Sequence, residues 1–416
     1  MASRGELIDD EMSVVGCGGA LRDWSSVNRH VQPAPDIRIL PVIREVCRSR
    51  RPVAIDLRSR TGSRRTFHVD TVPVLGPGGD VHGVQVWVGD PGRSPSPPRT
   101  VSGIAWHLDR MVIAQTVEAS MMSGVLPQDH VPERTPAEYI AKAVKFDESA
   151  SLFELALDPV HGRRWAAPMS VLHADGRVMR WHCWGKGRTD TGNVGVRFLW
   201  HDVTDVAAPE VPTLRELGMQ EVLRTAGVYT GVFVADPAVL AMWLPDAPPW
   251  VEWRNIKGGN DILHPDDRHV LADAIAVFRS ERPAPRTAWA RLRSASGWRT
   301  AELLIGPYPG SLGDRLVLVQ ISLRAVNAKA CGALTEVMPE SFRFRPPWSE
   351  GTPRADLVDS QSIPSRGSLR LVASAPDAAQ FFSAALAHVC AGAGCYVMGG
   401  HVMVIRTFGA STDGAS

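Results

Sequence analysis

Apolar and polar positions alternate in three separate parts of the chain, and each part predicts a β-hairpin followed by one more strand. In the first part the alternation covers residues 53–58, 67–71 and 84–88. A period of two residues is typical of strands with one buried face. The same succession of three segments returns twice, at 169–173, 179–184 and 194–200 and at 287–292, 299–305 and 316–323.

The turns of the three hairpins have similar sequences. Leu57-Arg58-Ser59 precedes Gly62 in the first copy, and Leu292-Arg293-Ser294 precedes Gly297 in the third. The middle copy, around Gly176, is looser. The three glycines lie 114 and 121 residues apart. That period corresponds to one small domain per copy rather than to a solenoid repeat.

Helices are predicted at several points by their start signals. Thr135 and Glu138 form a capping box with Pro136 at the first helical position, and residues 152–157 predict another short helix. Residues 263–268 open an amphipathic helix, because Pro265 suits a first turn and the aspartates that follow complement the positive helix end. Residues 37–46 predict a helix in the first part.

Composition changes mark the boundaries between these parts. Residues 92–100 and 207–213 are proline-containing linkers, and 325–368 is a polar stretch rich in proline and serine. We therefore predict domains at 8–90, 101–206 and 214–324, then a polar linker at 325–368. A small C-terminal α/β segment is predicted at 369–408, with a strand at 369–373, a helix at about 377–389 and a last strand at either 396–398 or 401–408.

Overall composition excludes several classes of protein. The 416 residues are 44% hydrophobic and 21% charged, with a formal net charge of +1. We therefore expect no binding to nucleic acid. No apolar run approaches the roughly 20 residues that span a bilayer, so we expect no membrane partner. Six cysteines are too few for a disulfide scaffold, and a reducing cytoplasm is the expected location.

The third part resembles a PAS domain. The resemblance rests on Leu263-His264-Pro265-Asp266-Asp267-Arg268, on Arg291-Leu292-Arg293, on Gly297-Trp298-Arg299 and on the closing strand at 316–323. The second part is similar through His173-Ala174-Asp175-Gly176-Arg177, Trp181 and the closing His201-Asp202-Val203-Thr204-Asp205. The first part resembles the family only in its last three strands, so a degenerate PAS domain and a GAF-like fold both stay open there.

The resemblance covers residues 8–324 and implies an α+β fold of tandem PAS-like domains, each a five-stranded antiparallel sheet flanked by short helices. It implies sensing of a small molecule or a partner and formation of a homodimer. The sequence contains no histidine-kinase box, cyclase motif, nucleotide-binding glycine loop or nucleophile elbow. We therefore expect a non-enzymatic regulator that acts on a protein partner carrying the effector function. An interaction scaffold that binds no ligand is the alternative.

Two groups of histidines and cysteines have the chemistry of metal ligands. The first comprises His173, His182, Cys183 and His201, but His182 and Cys183 are neighbours on a strand and point to opposite faces. The second group, near the C-terminus, comprises His388, Cys390, Cys395 and His401. Its spacing departs from that of structural zinc motifs. In both groups, ordinary core or surface residues are the simpler interpretation, and no metal is predicted.

Aromatic residues supply the candidate ligand site. Tryptophans concentrate in the second and third parts, where a pocket on one sheet face and an ordinary core are both consistent with the pattern. The predicted ligand-binding residues are Trp243, Trp250, Trp253, Trp289, Trp181 and His182. No catalytic residue is predicted, and the identity of any cofactor is left unknown.

Overall fold

The structure of the chain is a computed structural model. The residues that it describes are 12–17, 20–27, 37–60, 65–95, 97–190, 193–244, 246–254, 262–280, 284–323 and 395–398. All of them belong to one unit, 1–324 with 391–416, whereas a second unit, 325–390, lies outside the described residues. The predicted linker at 325–368 and most of the predicted segment at 369–408 therefore lie outside them as well.

Three antiparallel sheets dominate the described residues. The first sheet has the order β2-β1-β18-β5-β4-β3, the middle sheet β8-β7-β6-β12-β11-β10-β9, and the third sheet β14-β13-β17-β16-β15. The strands of the first sheet are β1 (Ser13–Cys17), β2 (Ala20–Ser26), β3 (Val53–Arg58), β4 (Thr66–Leu75), β5 (Val81–Gly89) and β18 (Cys395–Met398). The strands of the middle sheet are β6 (Val101–His107), β7 (Val112–Gln115), β8 (Glu133–Arg134), β9 (Ala143–Lys145), β10 (Arg164–Leu172), β11 (Val178–Asp190) and β12 (Asn193–Asp202). The strands of the third sheet are β13 (Tyr229–Val234), β14 (Val239–Leu244), β15 (Arg286–Ser294), β16 (Gly297–Pro307) and β17 (Leu316–Ser322).

The three sheets share one strand order. Each sheet begins at or near one edge with a pair in reverse sequence order, which is β2-β1, β7-β6 or β14-β13. The three strands of the predicted hairpin and closing strand follow, also in reverse order, as β5-β4-β3, β12-β11-β10 or β17-β16-β15. The middle sheet adds β8 and β9 at its edges, and the first sheet contains β18 between β1 and β5. A shared order is what three copies of one module would give. The three modules are called here the first, middle and third modules after their sheets.

Short helices accompany the sheets. They are α1 (Leu40–Ser49), α2 (Val117–Met122), α3 (Pro136–Ile140), α4 (Ser149–Leu157), α5 (Leu214–Thr225) and α6 (His269–Ser280). Both hydrogen bonds of the predicted capping box at Thr135 are present at the start of α3. None of the helices in the described part of the chain has both the length and the apolarity needed to cross a lipid bilayer.

The α+β class and most of the predicted elements are confirmed. Strands β3, β4 and β5 and the hairpins β10–β11 and β15–β16 lie where the alternation predicts them. The sequence did not predict β1, β2, β6 to β9, β14, α2 or α5. The predicted strand at 396–398 corresponds to β18, which belongs to the first sheet rather than to a separate segment. The turn around Gly62 lies outside the described residues.

The first and middle modules meet through one face of the middle sheet. Buried Trp184 and Leu199, on neighbouring strands β11 and β12, pack against Val15 of β1 and Val74 of β4. At Gly103 of β6 the two modules touch through their backbones, because a Cβ atom there would lie 2.4 Å from the carbonyl oxygen of Leu75. This junction therefore leaves little room between the modules.

Polar contacts reinforce the same junction around Asp80, which precedes β5. The Asp80 carboxylate lies 2.8 Å from the guanidinium of Arg197 and 3.6 Å from Nε2 of His82. His82 is buried, and its Nδ1 donates a hydrogen bond of 3.0 Å to the carbonyl oxygen of Phe198. Burial alone would raise the pKa of Asp80, but the contact with His82 and the charges of Arg197 and Arg188 hold that pKa well below its usual range.

Replacing Asp80 with asparagine is expected to reduce the free energy of unfolding at pH 7 by about 2 kcal/mol, because a charge-assisted contact is lost. A carboxylate whose pKa is lower in the folded state stabilises the fold above its unfolded pKa of about 4. That contribution disappears as the pH falls from about 4 toward the folded pKa, so the wild type and Asp80→Asn should converge in acid. Urea denaturation across this pH range tests the expectation. Asp90→Asn, which removes an exposed pair with Arg65, is the control and should change little.

Candidate functional site

The middle module encloses a small cavity between its sheet and its helices. Successive residues of β11 face opposite sides, so Met179, Trp181 and Cys183 join the core that includes the helices, whereas Trp184 faces the first module. The cavity, called here the middle cavity, measures about 20 Å³, which is room for about one water. Its lining includes Ser120, Ser123, Arg134, Tyr139, Lys142, Met169, Trp181 and Trp200.

Two indole N–H groups border the middle cavity without an acceptor. Trp181 is 2% exposed and Trp200 8% exposed, and within the described residues neither Nε1 atom has a hydrogen-bond partner. Their rings pack edge to face with centroids 5.4 Å apart, and Tyr139 packs against Trp200 at 4.8 Å. Because an unsatisfied buried donor costs about 1–3 kcal/mol, these groups favour a bound acceptor.

One side of the middle cavity is basic. The ammonium of Lys142 donates a 2.8 Å hydrogen bond to Oγ of Ser123. Burial, followed by the nearby charge of Arg134, lowers the pKa of Lys142. Burial also raises the pKa of Tyr139 well above its usual value, so its hydroxyl stays protonated at neutral pH. The cavity thus combines hydrogen-bond donors, two basic side chains (Lys142 and Arg134), the carboxylate of Glu138 and aromatic walls.

A second cavity of about 10 Å³ adjoins the first in the same core, and its lining includes Ile104, Phe146, Leu152, Trp165 and Cys183. Tyr139, Met169 and Trp200 line both cavities. These three side chains therefore lie against both spaces. A ligand larger than water therefore requires the aromatic wall between them to move.

The predicted site residues of the middle module fall on different faces. Trp181 lines the middle cavity, whereas His182 points to the opposite face and packs against Trp184 with ring centroids 4.4 Å apart. Burial, with a smaller effect of the Arg180 charge, lowers the pKa of His182 to about 4. His182 is therefore neutral at physiological pH and lies on the side of the first module. Sequence reasoning missed Tyr139 and Lys142, and it placed Trp200 in the tryptophan concentration of this module without including it among the predicted ligand-binding residues.

Three of the four predicted tryptophans of the third module share its core, and the fourth, Trp289, lies apart from them. Trp243 and Trp253 are both 9% exposed and pack edge to face in the core, and Trp250 packs against that core. Trp289 is 51% exposed, because it lies on the strand face opposite to its buried neighbour Ala290. The role of these four residues in ligand binding remains a prediction.

The first histidine–cysteine group is divided between the two faces of the middle sheet. His182 and His201 are direct neighbours across β11 and β12, whereas Cys183 lies in the core behind them. Among the residues that the structure describes, no three His, Cys, Asp or Glu side chains come close enough together to bind a metal ion. The side chains of the C-terminal group, His388, Cys390, Cys395 and His401, lie outside the described residues.

Comparison with protein-family models finds a similarity at the start of the chain. Residues 6–98 match the family described as Rv3651-like, N-terminal. The sequence matches none of the curated proteins.

Several solved structures align with this chain, and they differ in how similar their folds are. A crystal structure of an uncharacterized protein from Mycobacterium tuberculosis is similar with a TM-score of 0.60 at 19% identity, over 76% of this chain and 97% of that one. This chain therefore shares its fold. A sensory box histidine kinase/response regulator from Burkholderia thailandensis E264 aligns at 14% identity over 31% of this chain and 90% of its own, and an RNA-binding light-oxygen-voltage receptor at 12% over 54% and 95%. Their TM-scores of 0.21 and 0.22 are too low to indicate a shared fold.

Proposed function

We propose that the chain is a non-enzymatic sensor built from three tandem PAS-like modules, and that the middle module binds the signal. The unsatisfied indole N–H groups of Trp181 and Trp200 are the observation that carries this proposal. The shared strand order of the three sheets supports it, since it is consistent with three related modules. The domain boundaries at 8–90, 101–206 and 214–324 belong to the same proposal.

The lining of the middle cavity indicates the class of ligand. Two indole donors and Lys142 favour an acceptor with negative charge, and the aromatic walls favour a flat apolar body. A compact aromatic carboxylate meets both conditions. Its entry would displace Tyr139, Met169 or Trp200, and this displacement would change how the helices pack on the sheet. Such a change is the physical means by which a bound ligand would alter contacts with an effector protein.

The proposal also includes a homodimer in the cytoplasm. Helix α5, between the middle and third modules, has no buried residue. Leu214, Met219 and Val222 expose 88%, 59% and 64% of their surface. An apolar helix side that the described part of the chain leaves exposed suits contact with a second copy.

Benzoate is a suitable probe of the middle cavity. Binding should raise the melting temperature of the full chain by mass action, and Trp200→Phe should weaken that binding about fivefold because one hydrogen bond of about 1 kcal/mol is lost. Trp298→Phe, which changes a half-exposed ring in the third module, should leave the affinity unchanged. Native mass spectrometry of the purified chain reports any bound compound and the oligomeric state in the same measurement.

The alternative function, an interaction scaffold that binds no ligand, is favoured by the small volume of the middle cavity, which admits about one water. The benzoate experiment and native mass spectrometry also distinguish these two functions. A chain that carries no compound and whose melting temperature does not respond to benzoate is a scaffold rather than a sensor of this class.

A further inference from the structure

A further cavity, of about 420 Å³, lies between the middle and third modules. It is called here the interface cavity. Its volume falls within the range of about 300–1,000 Å³ that is typical of small-molecule sites, and such sites often lie where two domains meet. It shares no lining residue with either cavity of the middle module. It is therefore a separate space, and it is large enough for a small metabolite.

The inner part of the interface cavity is apolar. Met111 and Leu157 line it from the middle module, and each is 2% exposed. Val234, Ala235 and Ile275 line it from the third module, and they are 4–5% exposed. An apolar group that entered the cavity would bury its own surface against these side chains and leave water.

The exposed side of the interface cavity carries charges of both signs. Its charged lining residues are Arg279, Arg315, Asp236 and Asp314, all of them exposed. Two hydrogen bonds hold their segments together. The guanidinium of Arg279 donates a 2.8 Å bond to the carbonyl oxygen of Asp314, and the backbone N–H of Ala235 donates a 2.9 Å bond to the carbonyl oxygen of Arg315. Two guanidinium groups and two carboxylates therefore border one opening.

Most of these charges have no opposite charge beside them. Within the described residues, Arg279 contacts a backbone carbonyl but no carboxylate, and neither Asp236 nor Asp314 forms an ion pair. Arg315 lies 3.7 Å from the carboxylate of Asp158. The side of the cavity therefore offers both cationic and anionic groups to a ligand.

We propose that the interface cavity binds a zwitterionic amino acid with an apolar side chain, of about the size of leucine or phenylalanine. Arg279 and Arg315 would hold the carboxylate, because a guanidinium donates paired hydrogen bonds to such a group. Asp236 and Asp314 would hold the ammonium, and the side chain would lie on the apolar inner part. A ligand with only one charge would meet like charges in this opening, whereas a zwitterion meets an opposite charge at each end.

Isothermal titration calorimetry of the full chain tests the ligand class, with L-leucine and L-phenylalanine as probes. Isocaproate keeps the branched apolar chain and the carboxylate of leucine but lacks its ammonium, and isoamylamine keeps the ammonium but lacks the carboxylate. We expect at least one of the amino acids to bind, and both single-charge compounds to bind at least about tenfold more weakly than leucine or not at all. This comparison uses the wild type alone.

Matched variants place the binding at this cavity. Arg279→Gln and the double variant Asp236→Asn with Asp314→Asn should each weaken the binding of the amino acid at least about tenfold. All three side chains are exposed, so these variants should fold. The controls are Arg286→Gln and Asp273→Asn, which change exposed charges of the third module that do not line the cavity, and they should bind as the wild type does.

The two proposed sites can fail independently. Trp200→Phe changes the middle cavity only, so this variant should bind the amino acid with unchanged affinity whether or not the middle cavity binds benzoate. Failure of both amino acids to bind would overturn the proposal for the interface cavity. Isocaproate or isoamylamine that binds as tightly as leucine, or an affinity that neither Arg279→Gln nor the double aspartate variant changes, would overturn it as well.

Discussion

Replacing Trp184 with alanine is expected to lower the free energy of unfolding by about 4 kcal/mol, because a large side chain is removed from a packed site. Trp184 is 1% exposed and belongs to the cluster that joins the first and middle modules through Val15, Val74 and Leu199. The lost volume lies between two modules, so the loss should appear as loosening of the first module from the middle one. Urea denaturation followed by circular dichroism measures the change.

Limited proteolysis gives a second measurement of the same loosening. The linker between the first two modules contains exposed Arg93, and trypsin should cleave there faster in Trp184→Ala. Trp298→Ala is the matched control, because that side chain is 39% exposed in the third module. A Trp184→Ala chain that is as stable and as resistant to trypsin as the control would show that the junction does not depend on this residue.

Replacing Gly103 with alanine should cost about 3 kcal/mol, because the junction cannot accept even one methyl group without movement. The new Cβ atom would lie 2.4 Å from the carbonyl oxygen of Leu75 and 2.9 Å from the Cα of Gly76. Both are backbone atoms, and Gly103 itself is paired with Leu199 of β12 in the middle sheet. Neither side can move aside as a flexible side chain would. Thermal and urea denaturation are the measurements.

Gly218→Ala is the control for this substitution. Gly218 lies in helix α5, where an added Cβ atom meets nothing within 4 Å. Alanine is the better helix former, so this variant should be as stable as the wild type or more stable by up to about 1 kcal/mol. Equal stability of Gly103→Ala and Gly218→Ala would mean that the modules can separate at low cost.

The sequence predicted those parts of the fold whose signals are local. The alternation at 53–58 and 287–292 fixes which side chains share a strand face, and the capping box at Thr135 fixes where α3 begins. Strand β18 could not be assigned to the first sheet in this way. Its pairing partners lie more than three hundred residues away, and no local pattern records a pairing over that distance.

The candidate site was predicted only in part for a related reason. Trp181 was identified from the concentration of tryptophans, and the cavity that it lines is completed by Tyr139 and Lys142 from and beside α3. These residues come from a different part of the module, and only the packing of that helix on the sheet brings them together. For His182, strand alternation alone predicts that its side chain lies outside the cavity, because adjacent residues on a strand point to opposite faces.

The interior position of β18 also bears on how the chain folds during synthesis. At about 5–20 residues per second, the ribosome needs many seconds to make the chain between β5 and β18. Throughout that interval the first module cannot attain its six-stranded sheet, although its other five strands have already been made. The module that is translated first is therefore among the last to be completed, and a premature stop codon anywhere between β5 and β18 would leave it unfinished.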